Sequence, residues 1–588
     1  MIRPVNNSKL NNAAAYHLAI IALLGALIYS NTITSSFQLD DKLNIVDNPY
    51  IRQIGNLWPP TGSRWFGLLT FALNYMIGGP TPAGYHLVNT CIHILTAATV
   101  YHFIRLTSRA PYFSENRTSL ISFRHLAFAC ALLFVAHPLQ TQAVTYIVQR
   151  FASLAALLFM LALNFYVGAR LVTPGQAATS GSWWKKIFLY SAAALAAAAS
   201  LKTKENAVTL PLVIIMYEMM FLGGFTGVSA AIARQRRVFV SLAGLLLMAL
   251  AFVGKSCNIQ RLFDGFRATN EISRHDYLLT QFRVIVAYIR LLLLPVNQMI
   301  DHHVTVSTAI TEPAVAASLA LIILLAGVAA YLFKVSRAGG SYLRLVSFGI
   351  LWFFITLSVE SGLIPISDVM VEHRVYLPSI GALLAVAAAF AFIWEKCATN
   401  RRHALRVAAG ILAVAVVTLS CTAYRRNLVW RNELTLWSDA IVKNPANPRG
   451  YNMVGIYFLA NERLAEAIYY FKKALAVDGS YAEARSNLGG AYLQTGRIDE
   501  GLSELMTTAQ ANRFDAIDSG VLYYNIGKAL QLKGLPDQAI ENLNKALFYT
   551  PNEPAVYFLL GEIFKLKNVP EKSAAMFRVA HDLDPARF

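Results

Sequence analysis

The sequence predicts an all-α protein in two parts, a polytopic membrane helical bundle followed by a soluble helical solenoid. Three observations predict it. The 588 residues are 56% hydrophobic and 14% charged, more apolar surface than a soluble core absorbs. Much of that surface falls in runs that can cross a bilayer, which takes roughly 17–25 residues. After about residue 427 the composition becomes that of soluble protein, and one pattern recurs there at a period near 34 residues.

The apolar runs lie at 14–33, 84–104, 124–138, 152–172, 187–203, 206–224, 237–254, 314–334, 344–364, 376–395 and 404–422, about eleven spans. The first has no small-residue cleavage site and reads as a retained span. A formal charge of +18 suggests nucleic acid, but the basic residues sit in short loops between the runs. They are Arg105, Arg109, Arg117 and Arg124; Lys185 and Lys186; Arg234, Arg236 and Arg237; Lys334, Arg337 and Arg344; and Lys396, Arg401, Arg402 and Arg406. All five groups face the cytoplasm if the N-terminus does. The loops at 34–83, 139–151, 204–206, 255–313 and 365–375 then lie outside. Residues 277–296 test this alternation, because a crossing there would invert every later loop. Arg283 and Arg290 share one face of that stretch, so it is predicted to be interfacial or re-entrant, as is 64–77. The five cysteines show neither metal spacing nor a disulfide framework.

The recurring pattern starts from Gly455, Gly489, Gly527 and Gly561, spaced by 34, 38 and 34 residues. Three positions on stand Phe458, Tyr492, Leu530 and Phe564; twelve on, Ala467, Gly501, Ala539 and Ser573; sixteen on, Phe471, Leu505, Leu543 and Phe577. Small residues let paired helices approach, and large ones fill the gap to the next pair. This is the tetratricopeptide pattern. Trp437, Ala440 and Pro445 supply a further half repeat close behind the last span. Such arrays bind proteins or peptides in a concave groove.

Candidate chemistry sits in the external loops. Asp40 and Asp41 follow the first span; crowded carboxylates near a membrane lose hydration, which raises a pKa toward the range of a base. His137, Gln149 and Arg150 flank the second loop, Lys202, Lys204 and Glu205 the third, and Asp301, His302 and His303 lie in the fourth. Glu372, His373 and Arg374 precede the tenth span. Ionisable groups at membrane depth are costly and point to function, although Lys204 with Glu205, or Glu372 with Arg374, would serve equally as structural ion pairs. Cations beside a carboxylate pair suit an anionic lipid headgroup and an incoming hydroxyl. His86, Asn89 and His93 share one helix face, where buried hydrogen bonding is favoured over a metal.

The ordered stretches FQLDDKLNIVDNPYI, RWFGLLTFALNYMIGGPTPAGYHLVNTCIHIL, AHPLQTQAVTYIVQR, KTKENAVTLP and VMVEHRVYLPSIG, followed by the repeats, resemble the transmembrane and tetratricopeptide-repeat O-mannosyltransferases and their bacterial relatives, within the GT-C superfamily. The resemblance implies a transferase that moves sugar from a polyprenyl-phosphate donor to Ser or Thr hydroxyls of proteins on the extracytoplasmic face. It implies Asp40 as base with Asp41 orienting it. It places Arg150, Lys204 and Arg374 at the lipid phosphate, with Glu205, His373 and Tyr376 as secondary donor-site residues. Inversion at the anomeric carbon is usual for that superfamily. Metal dependence varies within it, and no metal-ligand set is evident here. The His between Glu372 and Arg374 departs from the expected adjacent pair, and the family's repeat array is often longer. Residues 1–426 are expected to form the catalytic membrane domain and 427–588 the repeat domain that recruits protein acceptors. A bacterial inner membrane with a cytoplasmic N-terminus and periplasmic repeats is expected, the endoplasmic-reticulum lumen being the runner-up. Two alternatives stand beside this reading. One is an oligosaccharyltransferase or glycan ligase using a lipid-linked oligosaccharide; the other is a non-catalytic repeat scaffold for secretion or pilus assembly.

Overall fold

The computed structural model describes residues 7–114, 121–172, 180–223, 272–336, 341–362, 364–397, 400–511, 516–585 and 587. It divides into two compact units, Met1–Asn432 and Glu433–Phe588. Among the described residues every regular element is helical.

In the first unit, seven helices among the described residues are long and apolar enough to cross a membrane: Ala13–Thr32, Pro82–Thr107, Ile147–Arg170, Glu205–Leu222, Pro313–Val335, Glu372–Cys397 and Arg402–Val429. A bent pair, Phe123–Ala136 with Pro138–Thr145, makes an eighth if counted as one span. The run expected at 124–138 leaves its helix at Ala136, because Pro138 lacks the N–H that would continue the ladder, and the chain turns by 53°. The run expected at 187–203 lies in the helix Ser180–Leu201. The run expected at 344–364 is a shorter helix, Ser341–Leu357, and the chain then turns at Glu360. The run at 237–254 lies outside the described residues.

Residues 277–296 fall largely in the helix Arg274–Leu293, which is not among those long and apolar enough to cross. Tyr277 and Tyr288 donate their hydroxyls, and Gln281 its amide, to the carbonyls of Glu360, Val371 and Val369. The helix therefore lies along the segment that follows Leu357. Arg344, counted above as an orientation charge, is buried and donates to the Met220 carbonyl and the Ser336 hydroxyl, with the Tyr112 ring 4.0 Å beneath it.

In lipid the apolar effect does little to bring helices together, so close packing decides which ones pair. Ser341–Leu357 and Tyr376–Cys397 pair through glycines: a Cβ on Gly381 would stand 2.4 Å from the Trp352 ring. At one end of the bundle, Asn427 donates to the Ile28 carbonyl and the Asn31 side chain, and it accepts from the Thr145 hydroxyl. Three stretches far apart in sequence are thereby pinned together.

The second unit is the solenoid. Helices Glu433–Lys443, Pro448–Ala460, Leu464–Val477, Ala482–Gln494, Ile498–Ala511, Ala516–Leu532, Pro536–Tyr549, Pro554–Leu566 and Pro570–Leu583 follow in turn. The small-against-large rule read from the sequence is visible at Gly527, where an added Cβ would lie 2.7 Å from Leu543 Cγ. Leu543 is fully buried and has no room to yield. Gly527→Ala is therefore expected to cost about 1–3 kcal/mol through overpacking. Denaturant unfolding of the full-length protein in detergent, followed at the repeat unit, checks this; unchanged stability would show that the helix pair is looser than described.

Candidate functional site

The site is built on the chain between Ala136 and Arg150, where the long helix gives way to three short helical turns, Pro138–Gln140, Thr141–Thr145 and Ile147–Gln149. Backbone outside a helix in an apolar bundle must be satisfied by protein groups. Here Asn89 donates to the carbonyls of Val144 and Ile147 (both 3.1 Å), Gln298 donates to the Pro138 carbonyl, and the His137 ring accepts from the Leu139 N–H.

The same segment holds the acidic pair. The Val148 N–H donates to Asp41 Oδ1 at 2.7 Å and the Gln38 N–H to Oδ2 at 3.0 Å, so both carboxylate oxygens of this buried side chain are engaged. Burial pushes the Asp41 carboxyl up to about 7; the neighbouring charge of Asp40 adds to the rise, and the backbone N–H bonds oppose it. Asp40 is exposed. Its N–H donates to the Tyr146 hydroxyl at 2.9 Å, and the Tyr146 ring stacks on Trp430. Asp41 thus fixes the loop, and Asp40 presents a carboxylate from it.

Arg150 faces inward. Its guanidinium is fully buried and donates to Asn89 Oδ1 (2.6 Å), Asn74 Oδ1 (2.8 Å) and the carbonyls of Tyr85 and Thr70, over the Phe71 ring at 4.5 Å. It ties Trp65–Gly78 and Pro82–Thr107 to the start of Arg150–Arg170. Tyr376 also faces inward, with its hydroxyl 2.7 Å from His93 Nδ1. His86, Asn89 and His93 all meet protein partners, the Ser35 carbonyl, Arg150 and Tyr376 among them, in keeping with the buried hydrogen bonding expected of them.

A second group gathers around His373, whose N–H donates to Gln142 Oε1 at 2.6 Å. Its ring lies in the field of Lys204, Arg374 and Arg64. Lys204 Nζ is 2.6 Å from Glu360 Oε1, and Arg64 is 3.8 Å from Glu205. Arg374 donates to the carbonyls of Asp368 and Val369. Glu372 is turned away from Arg374 and accepts from Gln298, the Met299 N–H and His302 at 2.8–2.9 Å. One short stretch therefore joins both groups: its Gln142 holds His373, and its Tyr146 and Val148 hold Asp40 and Asp41.

Tyr146, Arg64 and Glu360 were not among the candidate site residues read from the sequence. Glu360 did leave a signal, as a lone carboxylate inside a run otherwise apolar enough to read as a span.

Tetratricopeptide-repeat family models match residues 458–519 and 521–553. Protein O-mannosyl-transferase TMTC3 of Mus musculus is 24% identical over 96% of this chain and 64% of its own length. Protein O-mannosyl-transferase Tmtc3 of Drosophila melanogaster is 24% identical over 74% of this chain and 50% of its own. The chain resembles the protein O-mannosyl-transferases through its membrane part and into its repeats. It spans between about half and two thirds of the length of these relatives. A further likeness is to the crystal structure of MamA, at 20% identity and TM-score 0.23, over 26% of this chain and 86% of that one. The resemblance to the transferases covers all five stretches that build the site, from Phe37 to Gly381.

Asp41 carries a pH signature. A carboxyl whose folded pKa is raised holds a proton that the unfolded chain releases, so its contribution to stability is full at low pH and is lost as pH rises through about 7. Thermal melts of the wild type should fall between pH 5 and 8 and flatten in Asp41→Asn. An amide can accept from only one of the two N–H donors while its own N–H₂ opposes the other, so the variant should also lose about 1–3 kcal/mol. A slope that persists in the variant would assign the titration elsewhere.

Proposed function

We propose that the chain is a membrane glycosyltransferase of the GT-C type, transferring sugar from a polyprenyl-phosphate donor to Ser or Thr hydroxyls of protein acceptors. The observation that carries the reading is the joining, through residues 142–148, of an exposed carboxylate to a bank of cations. The likeness to the protein O-mannosyl-transferases supports it.

In this mechanism Asp40 accepts the proton of the acceptor hydroxyl. The hydroxyl oxygen attacks the anomeric carbon, and the bond to the phosphate oxygen breaks on the opposite face, inverting the centre. Negative charge develops on the departing phosphate, where Lys204, Arg64 and Arg374 supply the opposing field. His373 lies among these cations and takes the fourth place at the phosphate. Arg150, Tyr376 and Asp41 act as positioning residues, because their polar atoms are committed to protein partners. Glu205 lies 3.8 Å from Arg64 and adds a weak attraction to it.

The alternation of spans and basic loops in the sequence supports a cytoplasmic N-terminus with the site and the repeats on the extracytoplasmic face; in this reading the membrane is a bacterial inner membrane and the repeats recruit acceptors.

Asp40→Asn keeps the side chain's shape and removes the base. Transfer should fall about a hundredfold or more, read as loss of glycan mass on secreted proteins in cells expressing the variant at the wild-type level. Unchanged glycan mass would favour a non-catalytic repeat scaffold.

A further inference from the structure

Glu360 lies in the turn after Ser341–Leu357 and is buried. Its carboxylate engages Lys204 at 2.6 Å through one oxygen and Asn206 at 3.3 Å through the other. The Tyr277 hydroxyl donates to its backbone carbonyl at 3.1 Å and fixes the turn. The side chains of Lys204 and Glu360 are only 8% and 10% exposed. A buried ion pair of this kind adds little to stability over an apolar pair of similar volume, because desolvating both charges offsets their attraction. Stability is thus a poor reason for its presence.

The surroundings point to a ligand. Asn206 Oδ1, Ser361 Oγ and His373 Nδ1 are all buried without a hydrogen-bond partner. Asn206 touches the Glu360 carboxylate, Ser361 follows Glu360 in the chain, and His373 lies in the field of Lys204. An unpaired buried polar atom can receive a ligand group or an ordered water, and these three belong to residues bonded to the ion pair, next to it in the chain, or in its field.

Resting on the donor reading above, we propose that Glu360 is a counter-ion that competes with the donor phosphate for Lys204 and so sets donor affinity. It holds the ammonium in position and neutralised within an apolar bundle, then yields it to the incoming phosphate. Glu360 is a positioning residue: it acts on the donor through Lys204. Its carboxylate is a weak stand-in for the phosphate, and this keeps the donor site exchangeable.

The test is binding of farnesyl monophosphate to the full-length protein in detergent, measured by titration calorimetry. Glu360→Gln keeps the shape and removes the competing charge, so the Kd should fall about tenfold, the worth of one charge-assisted hydrogen bond. Lys204→Met in the same background should abolish that gain. Should Glu360→Gln fail to fold, Glu360→Asp keeps the charge and withdraws it by one methylene, and binding should tighten to a smaller extent. A purely structural Glu360 predicts weaker or unchanged binding in these variants, and that result overturns the inference while leaving the donor reading intact. A wild type that binds no farnesyl monophosphate overturns the donor reading, and the inference with it.

Discussion

Everything at the site depends on one constraint: between Ala136 and Arg150 the chain breaks its long helix into short turns inside an apolar bundle. Its amides and carbonyls have no water to turn to, so they must be met by side chains. Asn89 comes from the second span, Asp41 from the loop after the first, and Gln298 from the segment after Arg274–Leu293. A stretch that recruits partners from so many places fixes their mutual geometry. The convergence of distant polar residues is thus a consequence of hydrogen-bond accounting at a broken helix, and a site can be built on it without further scaffolding.

The polar residues singled out in the sequence divide into two kinds by what their atoms do. Arg150 and Tyr376 spend their polar groups on protein, and Asp41 spends both carboxylate oxygens on backbone. Asp40, Lys204 and His373 keep polar atoms in reach of something else: an exposed carboxylate, an ammonium held by a single carboxylate, and a ring nitrogen without a partner. Sequence position does not separate the kinds, since Asp40 and Asp41 are neighbours and only two residues separate His373 from Tyr376. Direction relative to the bundle does.

This explains what was legible beforehand. The repeats were legible because their rule is steric and local: a glycine and the large residue sixteen positions on declare each other, as Gly527 and Leu543 do. The spans were legible where length and hydropathy suffice, and their extents differ from the runs where the helix breaks, as before Pro138 and after Leu357. The broken segment was visible as a motif, but its partners were not, because the Asn89–Val144 and Asp41–Val148 bonds join residues 55 and 107 apart with no periodicity linking them. Pairing within the basic and acidic residues was the least legible. The sequence offered Glu205 for Lys204 and Glu372 for Arg374 as alternative structural pairs; Lys204 instead meets Glu360, and Glu372 meets His302.

The two adjacent aspartates show why neighbours can do different work. Both carry the same chemistry, and their separation of roles comes from solvent and hydrogen bonds. Burial makes ionisation of Asp41 costly, while two backbone N–H donors repay part of that cost, leaving a carboxyl pushed up to about 7 and fixed in place. Asp40 remains at the surface of the same loop, and its backbone is pinned to Tyr146, which is itself stacked on Trp430. In the proposed mechanism the carboxylate that meets the incoming hydroxyl needs both an open face and a fixed origin. The buried partner supplies the fixed origin, and it can do so only because its own oxygens are closed to solvent. If the pair were both exposed, the loop would lose its anchor; if both were buried, neither could reach an acceptor.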